Sequence, residues 1–235
     1  MKCKKNVKMI GMDKEQGISF LKKLTAKNKE VSIHVTTFPC ELHIELSTDE
    51  ENKKELKNIF AEIKEKYKPY IFTTNSEEEI EDVLVNHLTK KGLTITTAES
   101  CTGGLLSGRI INASGASNVY KQGYITYSNK AKRKLIEVRK ETLKKYGAVS
   151  KQTAKEMAKG AALVANADIA LSVTGIAGPE GGTAEKPVGL VYIGCYYNGK
   201  TTVEEHKFTG NRREVREQSV ASALSLLRKC LEMEG

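Results

Sequence analysis

A serine with an acid before it and a thiol, a threonine and two glycines after it stands at Glu99-Ser100-Cys101-Thr102-Gly103-Gly104. Residues 93–97 ahead of it are rich in β-branched types, which suit a buried strand. The apolar spacing over 105–111 reads as a helix. A hydroxyl at such a junction lies among the unpaired N–H groups and the positive end of a helix, a place that binds anions or stabilises an oxyanion. The chemistry on offer is nucleophilic attack on an electrophilic carbon, given a base to take the proton. A serine that merely caps an ordinary helix gives the same local pattern. Cys101 is a rival nucleophile, because a thiolate is intrinsically reactive.

Three other segments bear on the serine. In Gly123-Tyr124-Ile125-Thr126-Tyr127-Ser128-Asn129-Lys130, a strand ends near Tyr127 and a helix starts near Asn129. Lys130 then sits at a helix entrance, where the dipole disfavours a cation; that lowers an amine's pKa and suits it to deprotonate a hydroxyl. The plainer alternative is a surface lysine, since Lys132, Arg133 and Lys134 follow at once. An apolar strand over 168–174 runs into Gly175-Ile176-Ala177-Gly178-Pro179-Glu180-Gly181-Gly182-Thr183, whose glycine N–H groups can form an anion nest. Thr174, Ser100 and Tyr127 all fall at carboxyl ends of strands, where open α/β sheets bind ligands. Arginines in Thr209-Gly210-Asn211-Arg212-Arg213-Glu214-Val215-Arg216 can pair with a phosphate by forked hydrogen bonds, although a solvated helix start reads the same, and for Arg213 it is the preferred reading.

The elements that must position these groups alternate. Strands are predicted at 93–97, 121–127, 168–174, 188–197 and 201–208, and helices at 103–111, 129–136, 150–165 and 212–230. This is the pattern of a sheet with helices on both faces. A helix closing at Gly92 precedes them, with a capping box expected from Ser76 and Glu79. The first 73 residues read as a separate β-α-β-β-α-β unit, a split βαβ or KH-like sandwich, with Asp13 capping a helix to Lys27. Its segment Glu41-Leu42-His43-Ile44-Glu45-Leu46 alternates strictly, so one face is buried.

Composition sets the outer limits. At 39% hydrophobic and 29% charged residues the chain is expected to fold around an ordinary core. No apolar run is long enough to span a bilayer, and no membrane association is expected. The five cysteines, Cys3, Cys40, Cys101, Cys195 and Cys230, are odd in number and scattered, which fits reduced thiols in a cytoplasm. His34, His43, His87 and His206 form no ligand cluster, so no metal is expected. The net charge of +9 suits phosphate-bearing ligands. No glycine occurs between Gly17 and Gly92, so the GXXG clamp of a nucleic-acid-binding KH domain is missing and nucleic acid is not an expected partner.

The pieces AESCTGGLLSGRI, GYITYSNKAK, YGAVS, SVTGIAGPEGGTAEKPVGLVYIG and FTGNRREVR occur in this order, and with them the chain resembles the CinA C-terminal family of nicotinamide-nucleotide amidohydrolases over about residues 75–235. The resemblance implies a three-layer α/β/α sandwich at 74–235, behind a KH-like remnant at 1–73. It implies hydrolysis of the carboxamide of nicotinamide mononucleotide to nicotinate mononucleotide and ammonia, with no metal or organic cofactor. It also implies a homodimer or larger homo-oligomer. It places the nucleophile at Ser100, the lysine base at Lys130, and Tyr127 and Thr174 beside them. Substrate contacts are expected from Glu99, Thr102, Gly103 and Gly104, with an oxyanion hole over 102–104, and from Gly178, Gly181, Gly182 and Arg212. A first segment this short leaves no room for the pyrophosphatase domain of longer relatives. Asn211 stands where many relatives have aspartate. A non-catalytic nucleotide- or nucleic-acid-binding protein is the alternative.

Overall fold

The computed structural model describes residues 2–12 and 14–233 and divides between Val83 and Leu84 into two compact units. In the first, β1 (Lys2–Ile10), α1 (Lys14–Lys27), β2 (Ser32–Phe38), β3 (Glu41–Asp49), α2 (Lys53–Tyr67) and β4 (Ile71–Thr73) follow in order. The four strands form a sheet in the order β2-β3-β1-β4, with every neighbouring pair antiparallel, which is the split βαβ arrangement. Alternation in β3 sends Leu42, Ile44 and Leu46 into the core with Val7, Met9, Leu56, Ile59 and Ile63. Asp13, the expected helix cap, lies outside the described residues.

The division falls inside α3 (Ile80–Lys91). Lys8, a buried lysine on β1, donates to the Glu78 carbonyl at 2.8 Å and to the Glu79 carboxylate at 2.7 Å. The expected Ser76–Glu79 capping box does not form. Glu79 instead donates its N–H to the Asp82 carboxylate at 2.8 Å, and Ser76 turns to Glu77.

The second unit continues with β5 (Ile95–Glu99), α4 (Leu105–Ile111), α5 (Ala116–Val119), β6 (Tyr124–Ile125), α6 (Asn129–Ile136), α7 (Lys140–Tyr146), α8 (Lys151–Ala165), β7 (Ile169–Gly175), β8 (Leu190–Tyr197), β9 (Lys200–Lys207) and α9 (Arg212–Cys230). Its sheet runs β6-β5-β7-β8-β9, parallel over the first three strands and antiparallel over the last two. Ala98 and Ala170 face a core shared with Ile136, Leu143, Met157 and Ala161 of α6, α7 and α8. Leu171 and Val173, on the opposite side of β7, are fully buried on the face that α9 also covers. Helices therefore cover both faces, and the protein is of the α/β class. Among the described residues no helix is long and apolar enough to cross a membrane.

Candidate active site

Ser100 follows directly on β5. Its N–H donates to the Val173 carbonyl of β7 at 2.9 Å, and the Glu99 carbonyl accepts from Thr126 N–H at 2.7 Å. The serine is thus fixed between the ends of two neighbouring strands. Its hydroxyl meets an amine: Lys132 Nζ lies 2.9 Å from Ser100 Oγ and donates to the Thr126 carbonyl at 2.7 Å. Lys132 is 1% exposed, and this burial lowers its pKa to about 8. An amine that is partly neutral near neutral pH, one hydrogen bond from a hydroxyl, is the arrangement a base needs.

The lysine expected in this place was Lys130, whereas the structure brings Lys132 to the serine. The helix is capped by Ser128, whose Oγ accepts from Ala131 N–H at 3.0 Å. Its buried positions are Lys132 and Ile136, one turn apart on one face. Lys130 is exposed and makes no bond to Ser100. The helix entrance is open to water there, so the dipole has no buried amine to act on.

Glu99 is also placed differently from its expected contact with substrate. Its carboxylate is fully buried and accepts Gly104 N–H at 2.9 Å and Leu106 N–H at 3.0 Å on one oxygen. The other oxygen accepts Ser107 N–H at 2.8 Å and Ser107 Oγ–H at 2.5 Å. Gly104, the residue before α4, has no side chain to cap it and a φ of 99°, so Glu99 supplies the cap from the neighbouring strand. The anion site of this helix start is thereby filled from within. The Gly104 N–H is spent on Glu99. Thr102 Oγ1 is buried with no hydrogen-bond partner.

The remaining expected residues gather in two places. Arg212 donates to the Gly178 carbonyl at 2.8 Å and to the hydroxyl of the exposed Tyr127 at 3.3 Å, tying the glycine-rich loop, α9 and the end of β6 together. Thr174 is buried and donates to the Ala148 carbonyl at 2.8 Å rather than to Ser100. Gly181 and Gly182 are exposed on a loop anchored by Lys186, whose amine donates to the carbonyls of Tyr146 and Val149 at 2.8 and 2.7 Å. Cys101 is buried, which pushes its thiol up to about 11, so it is not a thiolate at neutral pH.

Sequence reasoning missed Arg216. It donates through Nε to the Cys101 carbonyl at 3.0 Å and through Nη2 to the Thr102 carbonyl at 2.8 Å, pinning the turn after the serine to α9. Its signal was its position one turn after Arg212, on the same side of the helix.

A mixed α/β sheet with a serine–lysine pair at the carboxyl ends of its parallel strands defines the class. The chain belongs to the CinA C-terminal domain family, whose model matches residues 77–231. It is similar to a CinA-like protein of Kosmotoga olearia, 43% identical over 231 residues that cover 97% of this chain and 56% of that protein. The chain thus spans about half the length of the curated relatives it matches. Among solved structures it is similar to the competence/damage inducible protein CihA of Agrobacterium tumefaciens, with 41% identity, a TM-score of 0.61, and coverage of 66% of this chain and 98% of that one. It is also similar to a competence-damaged protein (CinA) superfamily protein of Escherichia coli, with 34% identity, a TM-score of 0.63, and coverage of 67% of this chain and 95% of that one.

Proposed function

We propose that this protein hydrolyses the carboxamide of nicotinamide mononucleotide through an acyl-enzyme on Ser100, with Lys132 as the base. The observation that carries the reading is the 2.9 Å approach of a buried amine to the serine hydroxyl. Neutral Lys132 takes the Ser100 proton while Oγ attacks the carboxamide carbon, and the carbonyl oxygen becomes an oxyanion against the Thr102 and Gly103 amides. The Lys132 ammonium then returns the proton to the nitrogen, and ammonia leaves. Water attacks the ester, with Lys132 again as base, and releases the carboxylate and free Ser100. The Thr126 carbonyl accepts one amine hydrogen throughout, which aims the lone pair at Oγ. Arg212 and the loop from Gly178 to Gly182 supply a cation and exposed amides for the phosphate and ribose.

The test is ammonia release from nicotinamide mononucleotide by the full chain, followed as a function of pH. With the amine's pKa near 8, only about a tenth of Lys132 is neutral at pH 7. The kcat/KM is therefore expected to rise about tenfold per pH unit below 7 and to level off above about 8. A pH-independent rate across this range, or no ammonia from well-folded protein, sinks the reading; Ser100→Ala is the blank. Cys101→Ala is expected to keep the rate within a few-fold, since the thiol stays protonated. A loss of more than about tenfold in that variant, with Ser100→Ala still active, moves the nucleophile to sulfur.

A further inference from the structure

Glu41 and His43 lie two residues apart in β3 and so share one face of the first sheet, opposite Leu42 and Ile44. Glu79 reaches the same place from the segment before α3. Single ligand atoms from the three residues all lie within 4.8 Å of one another. His43 Nε2 stands 3.5 Å from Glu41 Oε2 and 3.7 Å from Glu79 Oε2. That nitrogen is buried and has no hydrogen-bond partner, and the Glu41 side chain is only 2% exposed. The imidazole is held by rings, with centroids 4.8 Å from Phe38 and 6.2 Å from Phe72.

A buried imidazole nitrogen without a partner, turned toward two carboxylates, calls for a cation between them. The two separations from the imidazole nitrogen, 3.5 and 3.7 Å, come close to those around one. With metal–ligand bonds of about 2.0–2.2 Å, neighbouring ligands around a tetrahedral ion stand about 3.3–3.6 Å apart. We propose that Glu41, His43 and Glu79 bind a divalent transition-metal ion of the zinc class, with water as the fourth ligand. Lys8 holds Glu79 Oε1 at 2.7 Å and leaves Oε2 to the metal, orienting the carboxylate as groups behind a metal ligand do. The histidines carry no ligand spacing in sequence; carboxylates from positions 41 and 79 complete the set only once the chain has folded. The ion ties β3 to the segment that leads into α3.

The competing occupant is a proton on His43, which would pair the ring with both carboxylates and need no metal. Calorimetric titration of the chelator-treated protein with Zn²⁺ distinguishes the two, supported by the visible spectrum of bound Co²⁺. One equivalent is expected to bind, with a tetrahedral Co²⁺ spectrum that Zn²⁺ abolishes. His43→Gln is expected to weaken binding at least tenfold. So is Glu79→Gln, the most exposed of the three at 42%, whose amide oxygen can still accept from Lys8. Ser100→Ala is expected to bind as the unaltered protein does. The proposal is overturned if folded protein takes up no metal, the result a proton-held histidine gives, or if Glu79→Gln binds as tightly as the parent.

Discussion

Lys132→Met is expected to abolish amide hydrolysis and leave the protein folded, while Lys130→Met leaves the rate within a few-fold. General-base catalysis contributes about 10²–10⁴ in rate. Ser100 and Lys132 act as one unit, so Lys132→Met and Ser100→Ala should cost similar amounts and the double variant little more. The stability argument separates a catalytic role from a structural one. Burial holds the amine near 8, against 10.5 for a free lysine. Between those values the folded state binds fewer protons than the unfolded one, so this group's contribution to stability rises with pH. Below about 8 its full cost is present, about 3 kcal/mol from the size of the shift. Methionine removes that cost, but it leaves the Thr126 carbonyl without its donor, at about 1–3 kcal/mol. The two effects nearly offset, so Tm should move by no more than a few degrees in either direction. Lys132→Met retaining more than about a tenth of the rate would remove the base from the mechanism.

The lysine assignment shows where sequence reasoning reached and where it stopped. The helix over 129–136 is as expected, and so is the serine between the end of β5 and the start of α4. What the local pattern left open is the phase of α6 against the sheet. A helix entrance drew attention to Lys130, yet the side chain that reaches Ser100 is the one a turn before the apolar Ile136. That spacing was present in the sequence, but in so basic a segment Lys132 looked like one more solvated charge. The place of Glu99 was hidden for a similar reason. It was expected to contact substrate, whereas the missing side chain at Gly104 was the sign that the helix needed a cap from elsewhere. Short elements carried too little periodicity. In α7 the buried apolar contribution is Leu143, and α5 has four residues; neither was expected. Conversely, the strand expected over 121–127 pairs only through Tyr124 and Ile125. Gly123, just ahead of that pair, has no room for a side chain, which would begin 2.0 Å from the Tyr120 hydroxyl.

Glu99→Gln is expected to destabilise the protein by about 3–5 kcal/mol and to slow hydrolysis by about a hundredfold, at little change in KM. The shape is conserved, but one carboxylate oxygen becomes an NH₂ facing N–H groups. Whichever way the amide turns, either the Gly104 and Leu106 amides or those of Ser107 meet a donor instead of an acceptor. The fault lands on α4's first turn and, through Gly104, on the Thr102 and Gly103 amides proposed to hold the oxyanion. Arg216 grips the same turn from α9 through the Cys101 and Thr102 carbonyls, so the loop should loosen rather than unfold. Urea denaturation and steady-state kinetics on the same sample separate the two accounts of Glu99. A residue that touches substrate would raise KM and leave stability alone. Loss of a carboxylate that caps a helix lowers stability without any substrate present, and it lowers kcat because the amides it aligned act on charge that develops only in the transition state. Unchanged stability in Glu99→Gln would return this residue to the substrate.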